Sequence, residues 1–496
     1  MVALPWALAA ALNAAEPQFP LKVATSGRHL VDQRGEPFFV NGDAAWSLTH
    51  NLTYDEAVRY MEDRKAKGIN ALILSVPDAF APDGGASYPP DRQGNQPFVG
   101  GDISAPNEAY WRHVDRVLAT SEERGFLVLL WPFYLGCCND GYMGLFLQNG
   151  PEKARAYGHF VGQRYGGRKN VVWVHGGDHD PGTAEGFVAA TEDWLHAGGH
   201  NPARTRDLVA AVRAGIADSG STQLHAAHWA PETDPYSPFG ETFTDLYTTY
   251  TYGAVAALVS RHYGHRPTKP VLLLETHYEN DWAGKTSEEV RKYPYRAVLA
   301  GASGHFFGNK PLWFCGHGWE VALDSPGSRS MEYVGRLFRS RRWEQLAPEK
   351  AGQLVTAGGG DPVSDDGVQA ARAADGSFAM ALLPFRRTIE VDLGRISGPS
   401  ARAWWFDIST GTATDAGQLP TGRRRSFTPP LAGSFVLVLD DARRGFPAPG
   451  SYPPARAGAT GAVPKSPPAR QPPLVDYGSS RGGHALHTIE RAPGSP

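Results

Sequence analysis

Two stretches of this chain end an apolar run on an acidic residue, and their residue types suit the cleavage of a glycosidic bond. Val171-Val172-Trp173-Val174 leads into His175-Gly176-Gly177-Asp178, and Val271-Leu272-Leu273-Leu274 leads into Glu275-Thr276-His277-Tyr278-Glu279. Such cleavage needs one protonated carboxyl to donate to the leaving oxygen and one ionised carboxylate to stabilise or attack the oxocarbenium-like centre. Retaining enzymes hold the two about 5 to 5.5 Å apart. Asp178 is the expected acid/base and Glu275 the expected nucleophile. The two glycines let the backbone turn sharply before Asp178, while the apolar run gives Glu275 a rigid base. A single loop acid more often caps a helix or pairs with an arginine. Two acids ending the fourth and seventh runs among aromatics favour catalysis.

The elements that must position these groups alternate between β-rich runs and amphipathic helices from about residue 27 to 345, as in consecutive βα units. Eight runs are expected: 38–40, 71–74, 126–130, 171–174, 224–227, 246–250, 271–274 and 305–307. Thr53 with Glu56 reads as a capping box ahead of Tyr54, Val58 and Met61, and Gly68 closes that helix. A helix from Asn107 carries Tyr110, Trp111, Val114, Val117 and Leu118 on one face, and Thr286 with Glu289 repeats the capping box. The expected fold is an α/β (β/α)8 TIM barrel over residues 22–346. No Gly-x-Gly-x-x-Gly turn follows the first run, which argues against an open dinucleotide-binding sheet. Asp32 to Gly35 reads as a hairpin turn feeding the first barrel strand.

Past Pro348, short runs at 379–383, 388–393, 401–406 and 434–439 are separated by Gly, Asp and Pro turns, so a small all-β sandwich is expected over 347–445. From 446 to 496 Pro, Gly, Ala and Arg dominate without period, as in a disordered tail.

In such a barrel, chemistry belongs where the strands end. The residues just past the runs supply further candidates for sugar contact: Asp43 and Trp46, Trp131, His228 with Trp229, Tyr252, Tyr278, Trp282 and Trp313. Aromatic faces suit sugar stacking, and Tyr278 can donate to Glu275, although any one Trp or His is more often structural.

Charge and composition exclude other classes. Lys and Arg number 48 against 51 Asp and Glu, a formal charge of -3 that does not suit a nucleic-acid partner. Hydrophobic residues at 41% and charged residues at 20% are ordinary for a globular chain, and no stretch reads as an integral membrane segment. Three cysteines, Cys137, Cys138 and Cys315, make no disulfide framework. Residues 3–15 are apolar and end in small residues, so residues 1–20 read as a signal peptide lacking its basic start, and the protein as secreted or periplasmic. No cofactor is expected and no residue is assigned to a metal.

The segments Gly27 to Trp46, Pro106 to Trp111, Asn170 to Asp178, Lys269 to Glu279 and Gly301 to His305 together resemble the apiosidase-like glycoside hydrolases over nearly the whole barrel. The resemblance implies a retaining, clan-A-type barrel. Its Gly-Gly-Asp acid/base falls on Asp178, and the first Glu of its Glu-Pro-x-Tyr-Glu motif falls on Glu275 as nucleophile. It implies apiose-bearing side chains of plant pectin as substrate, while the C-terminal region resembles the collagen-binding-like β-domain found behind such barrels. Thr276 replaces the family's usual proline, and Leu246 to Gly253 lacks its Gln-Ser-Gly-His stretch, differences that bear on the sugar.

Two other readings stand beside this one. His175, Asp178, His179 and Asp180 suggest a metal-dependent hydrolase, but Lys310 follows Gly308-Asn309 where a dinuclear site needs histidine. The other is a carbohydrate-binding protein without turnover.

Overall fold

The computed structural model describes residues 16–451 except 79, 82–87, 137–140 and 179–201, so Cys137, Cys138, His179 and Asp180 lie outside the described residues. All described residues belong to one compact unit. A three-stranded antiparallel sheet, β1 (Lys22–Val23), β2 (Leu30–Val31) and β3 (Pro37–Phe38), opens the fold. Its β2–β3 turn is the expected Asp32 to Gly35 hairpin, closed by Gly35 N donating to Asp32 O at 3.0 Å. Most of the expected leader also lies outside the described residues. Its last five residues, 16–20, instead pack here: Gln18 N donates to Asp32 Oδ2 at 3.0 Å and Phe19 meets Phe38.

Eight parallel strands follow: β4 (Val40–Ala44), β5 (Ala71–Ser75), β6 (Leu127–Trp131), β7 (Val171–Gly176), β8 (His225–His228), β9 (Tyr247–Tyr250), β10 (Val271–Glu275) and β11 (Gly304–Phe307). Their order, β8-β7-β6-β5-β4-β11-β10-β9, brings β8 and β9 together, and Leu246 N donates to His225 O at 3.4 Å across that seam. This is the expected (β/α)8 barrel.

Side chains alternate between two environments, as the two-residue period of a strand requires. Val40, Ala44, Ile73, Leu129, Trp131, Val174, Leu272 and Leu274 fill the barrel interior. Leu72, Leu74, Val128, Leu130 and Trp173 face the surrounding helices. The helix Tyr54–Ala66 has the complete Thr53–Glu56 capping box, and the helix Glu108–Glu123 starts on Asn107, whose side chain accepts from Ala109 N. The Thr286–Glu289 box also forms, over the single turn Ser287–Val290. No helix among the described residues is long and apolar enough to cross a membrane.

The C-terminal region is a two-sheet sandwich. One sheet contains β12 (Leu346–Pro348), β14 (Gln369–Ala373), β15 (Phe378–Leu383), β17 (Ser400–Asp407), β18 (Ala413–Pro420) and β20 (Phe435–Asp441). The other contains β13 (Val355–Ala357), β16 (Ile389–Asp392) and β19 (Arg424–Phe427). Ala381, Leu383, Trp405 and Leu437 from the first sheet pack on Ile389, Val391 and Phe427 from the second. The sandwich is tied to the barrel by a buried two-pronged pair, with Arg341 Nε and Nη2 donating to Asp440 at 2.8 and 2.7 Å.

The start of the expected tail is also held. Arg341 Nη2 donates to Pro447 O, Arg336 Nε to Gly450 O, and Gly450 N to Ser340 Oγ. Backbone carbonyls and amides carry these bonds, so composition alone gives no sign of them. Residues 452–496 lie outside the described residues.

Candidate active site

Asp178 and Glu275 reach the same point by different backbone devices. The chain leaves β7 through Gly176 at φ 103° and Gly177 at φ 127°, and Asp178 itself sits at φ 34°. Gly177 N donates to His228 O at 2.6 Å and Gly176 O accepts from Leu135 N at 3.1 Å, so the turn is stitched to both flanking loops. A Cβ at Gly177 would stand 2.3 Å from the Tyr134 ring, and one at Gly176 would stand 2.1 Å from His228 O. Neither site accepts a side chain without movement. Gly177→Ala is therefore expected to cost about 2 kcal/mol or more of stability and to displace Asp178. Thermal melts beside kcat measurements test this, and a variant with both unchanged would contradict the role given to the turn.

Glu275 depends on an irregularity in β10. Strict alternation from Leu272 and Leu274, which point inward, would turn Glu275 outward with Leu273. The pairing with β9 shifts between Leu273 and Glu275, a bulge that re-aims the carboxyl. There, His228 Nε2 lies 3.1 Å from Glu275 Oε2 and 3.4 Å from Asp178 Oδ1. The three groups each contribute an atom within 4.8 Å of the others.

The surroundings are apolar and aromatic. Trp46 lies with its ring 4.5 Å from Trp131 and 5.7 Å from His228. Its Nε1 donates to Tyr278 Oη at 3.1 Å, which leaves the phenol proton for Glu275. A second aromatic run continues from Tyr250, 4.8 Å from His228, to Tyr252 and on to Trp282, which is 63% exposed at the rim. On the opposite side Tyr134 bonds Asp178 and packs on Phe80, against which Trp313 stands edge-on at 4.7 Å.

Burial sets the charge state. It pushes Asp178 up to about 7, with the negative charge of Glu275 adding to the rise and His228 and Tyr134 opposing it. Burial also pushes Glu275 up to about 8, against the hydrogen bond from Tyr278. His228 is held down at about 4 by burial, so a neutral imidazole stands between the acids. Two carboxyls this close titrate as a pair and release their protons in two steps, the first of which leaves one proton shared between them. That is the state in which one acid donates while the other attacks.

Two candidates fall elsewhere. The first strand starts at Val40 rather than Phe38 and runs through Ala44, so Asp43 is inside the strand on its outward side. There it is 1% exposed, accepts from Tyr60 Oη at 2.5 Å and pairs with Arg64 at 3.4 Å, which makes it a structural acid rather than a sugar contact. Trp229 folds into its own loop, stacked on Phe239, with Nε1 donating to Pro235 O. Trp46, Trp131, His228, Tyr252, Tyr278, Trp282 and Trp313 lie along the two aromatic walls. Tyr134 and Tyr250 were not among the candidates, although Tyr134 stands one residue beyond Trp131-Pro132-Phe133 at the end of its strand.

Asp178, His228 and Glu275 can also be read as three ligands for a metal. Of the four-residue cluster suggested by sequence, His179 and Asp180 lie outside the described residues, while His175 is on β7 with its Nε2 2.9 Å from His225 Nδ1.

A (β/α)8 barrel with buried carboxyls converging from its fourth and seventh strands is the framework of a glycoside hydrolase. The family model described as "Apiosidase-like, catalytic domain" matches residues 24–345, and the chain belongs to that family of glycoside hydrolases. Residues 354–440 match the model described as "Putative collagen-binding domain of a collagenase". Among solved structures, a family 5 glycoside hydrolase from Bacteroides vulgatus is similar at 21% identity and a TM-score of 0.71, over 86% of this chain and 94% of that one. A second glycoside hydrolase is similar at 22% identity and 0.71, over 86% and 99%. These likenesses concern the fold. Curated protein sequences give no match.

Proposed function

We propose that the protein is a secreted retaining glycosidase that cleaves apiose-bearing side chains of plant pectin by double displacement. Asp178 protonates the glycosidic oxygen as it leaves while Glu275 attacks the anomeric carbon. Asp178, now a carboxylate, takes a proton from water as that water displaces Glu275 from the sugar. The observation that carries this reading is the approach of the two carboxyls. One oxygen of each lies within 4.8 Å of the other and of His228 Nε2, an approach that fits the roughly 5 to 5.5 Å carboxyl separation of retaining enzymes better than the roughly 6.5 to 9.5 Å of inverting ones. The aromatic walls running from Trp46 toward Trp313 and from Tyr250 toward Trp282 offer stacking faces on both sides of the cut. The β9 loop, which departs from the family's pattern, contributes Tyr250 and Tyr252, so it is the segment expected to select the sugar.

The test is release of sugar from a panel of plant polysaccharides that includes apiose-rich pectin. Release from that pectin supports the substrate assignment, and release only from pectin lacking apiose would overturn it.

Tyr278 is expected to tune the nucleophile. Tyr278→Phe removes the hydrogen bond that pulls Glu275 down against burial. The ionised form then appears only at higher pH, so the acid limb of the pH–rate profile should move upward and kcat at pH 7 should fall about tenfold. An unmoved acid limb would show that Tyr278 serves only packing.

A further inference from the structure

The connection from β8 to β9 runs back toward the helix Val255–Tyr263 and places Asp234 beside two histidines, one in the last turn of that helix and one just past it. Asp234 Oδ1 lies 3.0 Å from His265 Nε2 and 3.7 Å from His262 Nε2, and the three residues each offer a donor atom within 4.8 Å of the others. His262 is 1% exposed. Its Nδ1 lies 2.9 Å from Thr249 Oγ1 on β9, while its Nε2 is buried, has no hydrogen-bond partner and faces the Asp234 carboxylate.

A buried imidazole anchored through one nitrogen, with the other bare, has the arrangement of a metal ligand whose outer hydrogen bond fixes its tautomer. When Nδ1–H donates to Thr249, the Nε2 lone pair points at the carboxylate. Bonds of about 2.0 to 2.1 Å in tetrahedral geometry put donor atoms about 3.4 Å apart, close to the separations seen here. Asp234 and His265 are partly exposed, which lets water complete the coordination.

We propose that Asp234, His262 and His265 bind a divalent transition-metal ion of the zinc type, outside the carboxyl pair. Two imidazoles and one carboxylate suit such an ion better than calcium or magnesium, which prefer oxygen. The ion would clip the β8–β9 connection to the helix beside it. That connection leads into Tyr250 and Tyr252, so the clip steadies one wall of the active site without entering the reaction. Arg261 Nε, 3.8 Å from the same Asp234 oxygen, opposes the cation, while its Nη2 is spent on Glu232 O.

The experiment is calorimetric titration of zinc ion alone into tag-free full-length protein stripped with chelator, together with thermal melts. Wild type should bind zinc at this site and melt higher with it. His265→Ala and Asp234→Asn should weaken binding at this site by roughly 100-fold and at least about 10-fold. Glu275→Gln, which breaks the other cluster of three such ligands among the described residues, should leave it unchanged. Arg261→Gln should bind zinc more tightly. Absence of zinc binding in wild type would overturn the proposal. So would binding unaffected by His265→Ala and Asp234→Asn, or binding lost only in Glu275→Gln.

Discussion

Glu275→Gln is expected to lower kcat/KM by more than about 10^4-fold, with the barrel and its substrate affinity intact. The amide fills the same volume and still accepts from Tyr278, but it cannot form the glycosyl ester. Asp178→Asn is expected to lose about 10^2- to 10^4-fold on natural glycosides, the usual worth of a positioned acid or base. Its loss should shrink for glycosides whose leaving group departs without a proton, because Asp178 then has no proton to supply in the first step. That contrast separates the two roles. Glu275→Gln should be inert whatever the leaving group, whereas Asp178→Asn should not. Equal losses across leaving groups in both variants would contradict the assignment.

The same two variants are expected to melt higher than wild type at pH 8. Burial raises Asp178 from its ordinary 3.8 to about 7 and Glu275 from 4.5 to about 8. Between the unfolded and folded values the native chain holds more protons than the unfolded chain, so stability falls as pH rises through this window. The full contribution is present below about pH 4. It is lost as the pair ionises on the approach to pH 7 and 8. An amide does not titrate and escapes this penalty, which at about 1.4 kcal/mol per pK unit is on the order of 4 to 5 kcal/mol for either carboxyl. Side-chain exposures of 14% and 9% leave little solvent screening to reduce it. Melts of wild type and variants at pH 5 and pH 8 check this: the gain should be several degrees at pH 8 and smaller at pH 5. Variants less stable than wild type at pH 8 would show that the ionised carboxyls are better solvated than the geometry indicates.

The positions of Asp178 and Glu275 at strand ends are legible because each directly follows one of eight apolar runs that alternate with amphipathic, partly capped helical stretches. The glycines ahead of Asp178 also announced their turn. What the sequence hides is direction. Alternation would send Glu275 outward, and the bulge in β10 that returns it has no residue signature. The reverse happened at Asp43, where a strand extending through Ala44 carried the acid to the helix side and into the Tyr60–Arg64 network. Trp229 stands at a strand end like His228, yet Phe239 and Phe243 capture it. Those partners lie in a loop with no period to read. Asp234 is likewise separated in the chain from His262 and His265, and only the course of the β8–β9 connection brings them together.

The central claim is tested most directly by the anomeric configuration of the first sugar released, followed by proton NMR before mutarotation. Two carboxyls this close, with Glu275 as nucleophile, predict the configuration of the substrate retained. An inverted product would mean that water rather than Glu275 attacks the anomeric carbon, and the double-displacement account would be wrong.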